Sequence, residues 1–434
     1  MNRIKFITLG CKVNQYETEA MREAVLARGL RESDEGPSEF VVINTCTVTE
    51  GADRENRYWI RRARRENPFA KIVVTGCWVQ RNRKEVEALP DVDLVLANEE
   101  KPDLAGHIFE GCGTSEVQSR PVHSRQEYSA LQISGFRGHA RAFVKIQDGC
   151  NHACSFCKVV LVRGRSRSRQ VSEIVAEAER LRDSGFREIV LTGIQLGAYG
   201  VDLEPHENLV SVLERLSEIP GIERVRLSSI EPTDVKPDLV RAMKEIPKVC
   251  PQLHIPLQSG DDEILRRMNR RYGRNFYLDL ARSLRRDIPD FCLSMDVMAG
   301  FPGEEDHHFQ NTLTLLQETR PIRVHAFPYS RREGTRASRF EGDVPGPVIR
   351  ERMARLLAFS KAVAAEEKRN FVGQCLPVLV EEKSSDKGLY QGHTSNYLKV
   401  YFEGSEDSIG KTVPVRLLEI AGDGLLGRSE GRGE

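Results

Sequence analysis

The sequence predicts a multidomain α/β protein. It has a doubly wound parallel sheet at the amino end, a central partial (β/α)6 TIM-like barrel and a small all-β barrel at the carboxyl end. Three observations predict this. The chain has 434 residues, too many for one ordinary core. Up to about Phe327 short apolar runs alternate with helical periodicity, the pattern of parallel strands joined by crossover helices. From Gln374 onward, apolar and polar residues alternate between glycine-containing turns, which suits a small barrel.

Each element follows in order. Ile4–Thr8, Phe40–Ile43, Ile72–Thr75 and Asp93–Leu96 read as strands. Glu17–Arg28, Ala52–Arg65 and Arg81–Leu89 read as the helices between them. Gly111–Gly138 is polar, serine-rich and aperiodic, as a linker is. Ala142–Ile146, Glu188–Leu191, Arg224–Leu227, Leu253–Pro256, Cys292–Val297 and Arg323–Phe327 are six further strands, with helices such as Val171–Ser184 and Leu209–Glu218 between them. Pro345–Lys368 contains a long charged, amphipathic helix, from Val348 onward. Gln374–Val380, Tyr390–His393, Leu398–Phe402, Thr412–Leu418 and Leu425–Ser429 are the strands of the last barrel. The expected domains are 1–112, a linker at 113–136, 137–366 and 367–434.

Lys+Arg and Asp+Glu number 64 each, so no global charge draws the chain to nucleic acid and any such contact needs local patches. No signal peptide and no apolar run of about 18 residues is present, so a soluble, cytoplasmic protein without membrane contact is expected. The cytosol keeps thiols reduced, so ten cysteines need a reason other than disulfides. Cys112, Cys250, Cys292 and Cys375 read as small apolar filler.

The other six form two trios. Cys150, Cys154 and Cys157 are compact, reading Cys-Asn-His-Ala-Cys-Ser-Phe-Cys. Cys11, Cys46 and Cys77 are dispersed, one after each of the first three strands. In an open parallel sheet the carboxyl ends of the strands share one edge, so the dispersed trio is expected to converge. The compact trio follows the first barrel strand, at the end where barrel sites lie. Iron–sulfur clusters are held by Cys thiolates, usually four; three leave a position open for chemistry. A zinc loop borrowing His152 fits less well, because structural zinc wants closed tetrahedral geometry.

Cys150-x3-Cys154-x2-Cys157, with Phe156 before the last cysteine, resembles the radical S-adenosylmethionine (SAM) superfamily. Thr8-Leu-Gly-Cys-Lys-Val-Asn-Gln-Tyr-Glu17, Asn44-Thr-Cys-Thr-Val-Thr49 and Val74-Thr-Gly-Cys77 resemble the amino-terminal domain of methylthiotransferases. Phe143 to Cys150, Arg163-Gly-Arg-Ser-Arg-Ser-Arg169, Leu253 to Gly260 and Asp296 to Glu304 match the same family, and Gly392-His-Thr-Ser-Asn-Tyr397 resembles the RNA-binding TRAM barrel. Among branches, the motifs at Cys11 and Cys46 are most similar to the one acting on N6-threonylcarbamoyladenosine at tRNA position 37. The chain departs from the family pattern at Val160, where proline is frequent, and at Trp78 and Val79, beside a cysteine.

The resemblance implies two [4Fe–4S] clusters, one on each trio, and SAM used twice. On the compact cluster SAM would be cleaved to a 5′-deoxyadenosyl radical; the dispersed cluster would supply sulfur to carbon 2 of the adenine, and a second SAM would methylate it. It also implies a tRNA anticodon loop as substrate, a reductant such as flavodoxin or ferredoxin, and a sulfur source. Gly193, Gln195, Ser229, Glu231 and Asp296 are the candidate SAM contacts, near carboxyl ends of barrel strands. Arg163, Arg165 and Arg167 are candidate RNA contacts in a basic stretch from Arg137 to Arg169, and Arg54 to Arg65 is a second basic cluster. Tyr390 and Tyr397 are candidate aromatics in the last barrel. The alternatives are methylthiolation of isopentenyladenosine or of a ribosomal-protein aspartate and, in another class, a non-catalytic iron–sulfur electron carrier.

Overall fold

The computed structural model describes residues 3–33, 36–47, 50–109, 128, 131–384 and 388–430. The first sheet contains β1 (Arg3–Thr8), β2 (Arg31–Glu32), β3 (Phe40–Thr45), β4 (Lys71–Gly76) and β5 (Leu94–Val95). All are parallel, in the order β2-β1-β3-β4-β5. Successive strand residues point to opposite faces. Val41, Ile43, Ile72 and Val74 therefore pack with Ile60, Ala63 and Trp78, while Val42 and Val73 pack with Met21, Val25 and Leu104 on the other side.

The helices after β1 and β4 are Lys12–Ala27 and Cys77–Glu87. Each begins about one turn before the start expected from its apolar periodicity. In the first helix the reason is visible at Asn14, Glu17 and Thr18, which are buried and polar, so the inward face of that turn does not read as apolar; in the second the extra turn is the buried apolar run Cys77, Trp78 and Val79. The two-residue edge strand β2 was not anticipated.

Cys112 and most of the expected linker lie outside the described residues. The stretch 131–136 is packed: Leu131, Ile133 and Phe136 are buried in the central core. The Tyr16 hydroxyl donates to the Leu131 carbonyl at 2.8 Å, and the Glu23 carboxylate accepts from the Ser134 and Gly135 amides at 2.8 Å.

The centre contains β6 (Ala142–Lys145), the small antiparallel pair β7 (Gln147–Asp148) and β8 (Arg167–Ser168), then β9 (Glu188–Thr192), β10 (Arg224–Leu227), β11 (Gln252–His254), β12 (Cys292–Ala299) and β13 (Arg323–Pro328). Parallel ladders join β6-β9-β10 and β11-β12-β13, and bridges at Val225↔Val249 and Ser229↔His254 connect the two sets. Among the described residues no ladder joins β13 back to β6, so the six-stranded barrel is open there.

The helix Gly346–Arg369 packs on β13 and leads to the last barrel; residue 367, the expected start of that domain, lies in its final turn. Strands β14 (Cys375–Lys383), β15 (Tyr390–Thr394), β16 (Lys399–Phe402), β17 (Thr412–Ala421) and β18 (Gly424–Ser429) close in the order β14-β15-β16-β18-β17. Closure leaves no free edge. This barrel docks through its β15–β16 turn. Arg224 donates to the His393 and Pro377 carbonyls at 3.0 and 2.7 Å, and Arg226 donates to the Ser395 carbonyl at 2.8 Å.

Cys250 and Cys292 are buried as expected of filler, whereas Cys375 is exposed. No helix among the described residues is long and apolar enough to cross a membrane.

Candidate functional site

Cys11 is the N-cap of its helix, Cys77 is the first residue of its own, and Cys46 follows β3 directly. Close packing brings their turns together. Gly10 has φ +96°, and a Cβ placed on it would lie 2.9 Å from Cys46 Sγ. Gly76 has φ +105°, and a Cβ there would lie 2.4 Å from the Thr45 carbonyl oxygen. Asn14 ties two of the turns by donating to the Leu9 and Thr45 carbonyls at 2.7 and 3.0 Å. Asn56 holds the Cys46 backbone at both ends, accepting from its amide and donating to its carbonyl.

The compact trio sits on a loop beyond β7, pinned from several sides. The Cys150 amide donates to the Gly164 carbonyl at 3.0 Å, Asn151 N–H donates to Gln195 Oε1 at 2.9 Å, and Asn269 donates to the Ala153 carbonyl at 2.7 Å. Backbone amides of His152 and Val159 donate to Cys150 and Cys157 Sγ at 3.3 and 3.4 Å. Arg270 donates to Cys154 Sγ at 3.3 Å and also to Glu231. Burial, with the neighbouring thiols, pushes Cys150 up to about 12 and Cys157 up to about 11. A metal group must displace these protons to bind.

The two trios belong to one seam. The short helix Val159–Arg163 starts two residues after Cys157, and its last residue reaches the other trio. Arg163 Nε donates to Cys77 Sγ at 3.3 Å, and its other nitrogens donate to Asn14 at 2.8 Å, to Glu17 and to Asp148 at 3.3 Å. Lys145 donates to Glu17 and Asp148 at 2.8 Å each, and Lys101 also donates to Glu17. Burial alone would raise the Glu17 carboxyl. Arg163, Lys101 and Lys145 outweigh it and hold Glu17 well below its ordinary range. A second tie comes from the loop after β13. Arg332 donates to the Thr47 carbonyl and to Asp53 at 2.8 Å, while the Ala337 amide donates to the Ser155 carbonyl at 2.7 Å. One loop thus touches the Cys46 turn and the compact trio.

The SAM candidates divide. A Cβ on Gly193 would lie 2.9 Å from Gln147 Oε1. That oxygen accepts from the Ile194 and Gln195 amides, so Gly193 and Gln195 sit against the compact loop. Glu231 is held by Arg270. Ser229 is exposed, while its neighbour Ser228 is buried with an unpartnered hydroxyl. Asp296 Oδ1 lies 3.1 Å from His254 Nε2, and His325 stands 5.4 Å from His254 between ring centres.

Two RNA expectations need correction. Arg163 and Arg167 are buried, because carboxylates and carbonyls of the seam claim them; of the three candidate arginines only Arg165 is exposed. Arg169 is likewise buried against Glu177 at 2.5 Å. Tyr390 is packed in the last barrel's core. Tyr397 is covered by Arg226 and Arg141, 4.8 and 5.2 Å from its ring.

Sequence reasoning missed Glu17, Gln147, Arg270 and Arg332, whose partners lie far along the chain. It also missed Lys12. This half-buried side chain has no ion pair or hydrogen bond among the described residues, only the Phe143 ring at 5.7 Å. Burial lowers its pKa, and Tyr397, Arg141, Arg226 and Glu188 are its charged or titratable neighbours.

The donor sets fit the groups that the family implies. Around Arg163, which touches Cys77, the four buried cations Lys101, Lys145, Arg163 and Arg167 face two carboxylates among the described residues, Glu17 and Asp148. Such a surplus suits an anionic thiolate-bound group. Among the described residues no three of His, Cys, Asp and Glu close on a single metal ion; a four-iron cluster, being wider, does not require it. Ser228 Oγ and Gln258 Oε1 are buried beyond the ends of β10 and β11 without hydrogen-bond partners among the described residues, where a polar small molecule would satisfy them.

Three family models match the chain: the radical SAM superfamily over residues 144–316, uncharacterized protein family UPF0004 over 3–97 and the TRAM domain over 369–428. Threonylcarbamoyladenosine tRNA methylthiotransferase MtaB of Bacillus subtilis (strain 168) is 37% identical, covering 96% of this chain and 94% of that protein. The protein of the same name from Chlamydia pneumoniae is 38% identical over 98% of this chain and 97% of its own length. A tRNA-2-methylthio-N(6)-dimethylallyladenosine synthase of Clostridium botulinum (strain Hall / ATCC 3502 / NCTC 13319 / Type A) is 33% identical over 97% of this chain and 95% of that protein. The solved radical SAM methyltransferase TsrM from Kitasatospora setae, with cobalamin and a [4Fe-4S] cluster bound, has a TM-score of 0.55 at 16% identity, covering 78% of this chain and 77% of that one; it bears on the fold alone. With relatives this similar along nearly all of its length, the chain belongs to the radical SAM methylthiotransferase family.

Proposed function

We propose that this protein converts N6-threonylcarbamoyladenosine at tRNA position 37 to its 2-methylthio form. Cys150, Cys154 and Cys157 would hold one [4Fe–4S] cluster, and Cys11, Cys46 and Cys77 a second. When bound, these groups supply the electron for reductive SAM cleavage and the sulfur to be inserted. The observation that carries this reading is the junction itself: the single helix Val159–Arg163 runs from the compact trio to Cys77.

The chain's own residues do the positioning. The loop from Gly149 to Cys157 is fixed by Gln147, Gln195 and Asn269. Ser228 and Gln258 offer unspent hydrogen-bonding groups, and Glu231, braced by Arg270, offers a carboxylate to a cationic ligand. Gly193, Ser229 and Asp296 complete the candidate SAM wall. A carbon-bound hydrogen on adenine is beyond the reach of an ordinary acid or base at pH 7, so radical chemistry suits this substrate.

Lys12 favours the threonylcarbamoyl substrate over a dimethylallyl one. A half-buried, unpaired ammonium beside Cys11 costs free energy unless an anion joins it. The threonyl group carries a carboxylate, and a dimethylallyl group is apolar. A flavodoxin- or ferredoxin-type reductant and a sulfur donor complete the partners.

Mass spectrometry of tRNA nucleosides from cells lacking the protein tests the substrate. Loss of the methylthio form of threonylcarbamoyladenosine is expected; loss of only the isopentenyl form, or no change, overturns the assignment. Cys11→Ala, Cys46→Ala and Cys77→Ala should each abolish methylthiolation and leave SAM cleavage measurable. Full product from those variants would refute the two-cluster assignment.

A further inference from the structure

The helix Glu50–Glu66 carries a stripe that the site itself does not use. Arg54, Tyr58, Arg61 and Arg65 follow one another at spacings of four, three and four residues, so they share one face. They span about 16 Å at 1.5 Å per residue. All four are exposed, Tyr58 by 54%, and Phe69 just past the helix is fully exposed.

The neighbouring arginines are engaged: Arg57 with Glu85, Arg62 with Glu66 at 2.6 Å and Arg64 with Asp93 at 2.5 Å. Arg54, Arg61 and Arg65 have no ion pair or hydrogen bond among the described residues. The helix dipole accounts for cations in the last turn, such as Arg65, but not for Arg54 in the amino-terminal half. Exposed aromatics interleaved with unpaired arginines suit a nucleic-acid strand, the cations taking phosphates and the rings taking bases.

The amino-terminal half of this helix also borders the site. The same helix holds the Cys46 turn, through Asn56 on the Cys46 backbone and Asp53, which accepts from the Thr47 hydroxyl at 2.8 Å. We propose that Arg54, Tyr58, Arg61 and Arg65, with Phe69, bind the tRNA backbone flanking the target nucleoside and guide that nucleoside toward the dispersed cysteines. This surface rests on the proposed tRNA substrate.

The test compares cluster-loaded full-length protein with its R54A/R61A/R65A and Y58A/F69A variants. The probe is tRNA carrying N6-threonylcarbamoyladenosine without the methylthio group. Affinity is measured across a salt series, and SAM cleavage is measured once with a chemical reductant and once with an acidic flavodoxin. The triple variant should bind roughly tenfold or more weakly at ~0.1 M salt, with the slope of log K against log salt smaller by about two to three. The aromatic pair should weaken binding with little change in slope. SAM cleavage should stay at the wild-type rate in both. If wild type binds and modifies the tRNA and the triple variant matches its affinity and slope, this surface is wrong and the enzyme assignment stands. If wild type does not bind the tRNA at all, the assignment itself falls. If tRNA affinity is unchanged but cleavage driven by an acidic flavodoxin is lost, the stripe docks the reductant and the RNA assignment is overturned.

Discussion

Arg163 Nε donates a hydrogen bond to Cys77 Sγ at 3.3 Å, so an arginine next to the compact trio touches the dispersed one. The same guanidinium is bound by Asn14 and Glu17 of the first helix and by Asp148 of the barrel. It is one buried cation serving two domains.

Arg163→Met should therefore act on both stability and metal loading. Removing one partner from a buried ionic network costs about 3–5 kcal/mol. The thermal midpoint of the cluster-free protein should fall by several degrees. With the proposed cluster on each trio, iron analysis of the reconstituted variant should show about half the wild-type iron, the loss falling on the Cys11, Cys46 and Cys77 site. Unchanged midpoint and iron content would mean that the seam does not depend on this residue.

Arg270 plays the matching part at the compact trio, between Cys154 and Glu231. Arg270→Leu should lower the rate of 5′-deoxyadenosine formation by at least tenfold, as expected when a charge-assisted hydrogen bond worth roughly 1.5–3 kcal/mol is lost. Arg270→Lys should recover part of it. A leucine variant with the wild-type rate would remove Arg270 from the site.

Gly76→Ala should destabilise the amino-terminal sheet. The residue has φ +105°, and a methyl group there meets the Thr45 carbonyl at 2.4 Å. Strained backbone and overpacking together cost on the order of 3 kcal/mol. The same substitution at Gly185, φ +97° with nothing within 4 Å, retains the strain without the clash and should cost less. Chemical denaturation of both variants checks the order.

Acid should loosen the docking of the last barrel through Glu188. Burial raises its carboxyl pKa, but Arg226, Arg141 and Arg224 outweigh burial and hold it at about 2, against an ordinary 4.5. A carboxyl depressed in the folded state contributes stability that is complete above 4.5 and lost as pH falls toward 2. The amount is on the order of 3 kcal/mol. Thermal midpoints measured from pH 6 down to pH 3 should fall for wild type. They should fall less steeply for Glu188→Gln, which starts lower because its arginines are left unpaired. Parallel curves would show that Glu188 does not carry the acid limb.

The three-part fold, the six barrel strands and the two cysteine trios were legible in the sequence, because apolar period and cysteine spacing are local properties of the chain. Arg54 to Arg65 was visible as a basic run, but not which of its arginines were already paired. Arg163, Arg167 and Tyr397 read as RNA-facing because their type and spacing suggest exposure. Their partners, Glu17, Asp148, Arg226 and Arg141, lie elsewhere in the chain, and only folding brings them together. Lys12 shows the reverse case: its lack of a partner among the described residues, on which the proposed preference for a carboxylate-bearing substrate rests, arises only on folding. The sequence by itself determined which principal elements form and where the two cysteine trios fall among them. The tertiary structure decided which charges are spent inside and which remain for a ligand, since burial and pairing depend on residues far apart in the chain.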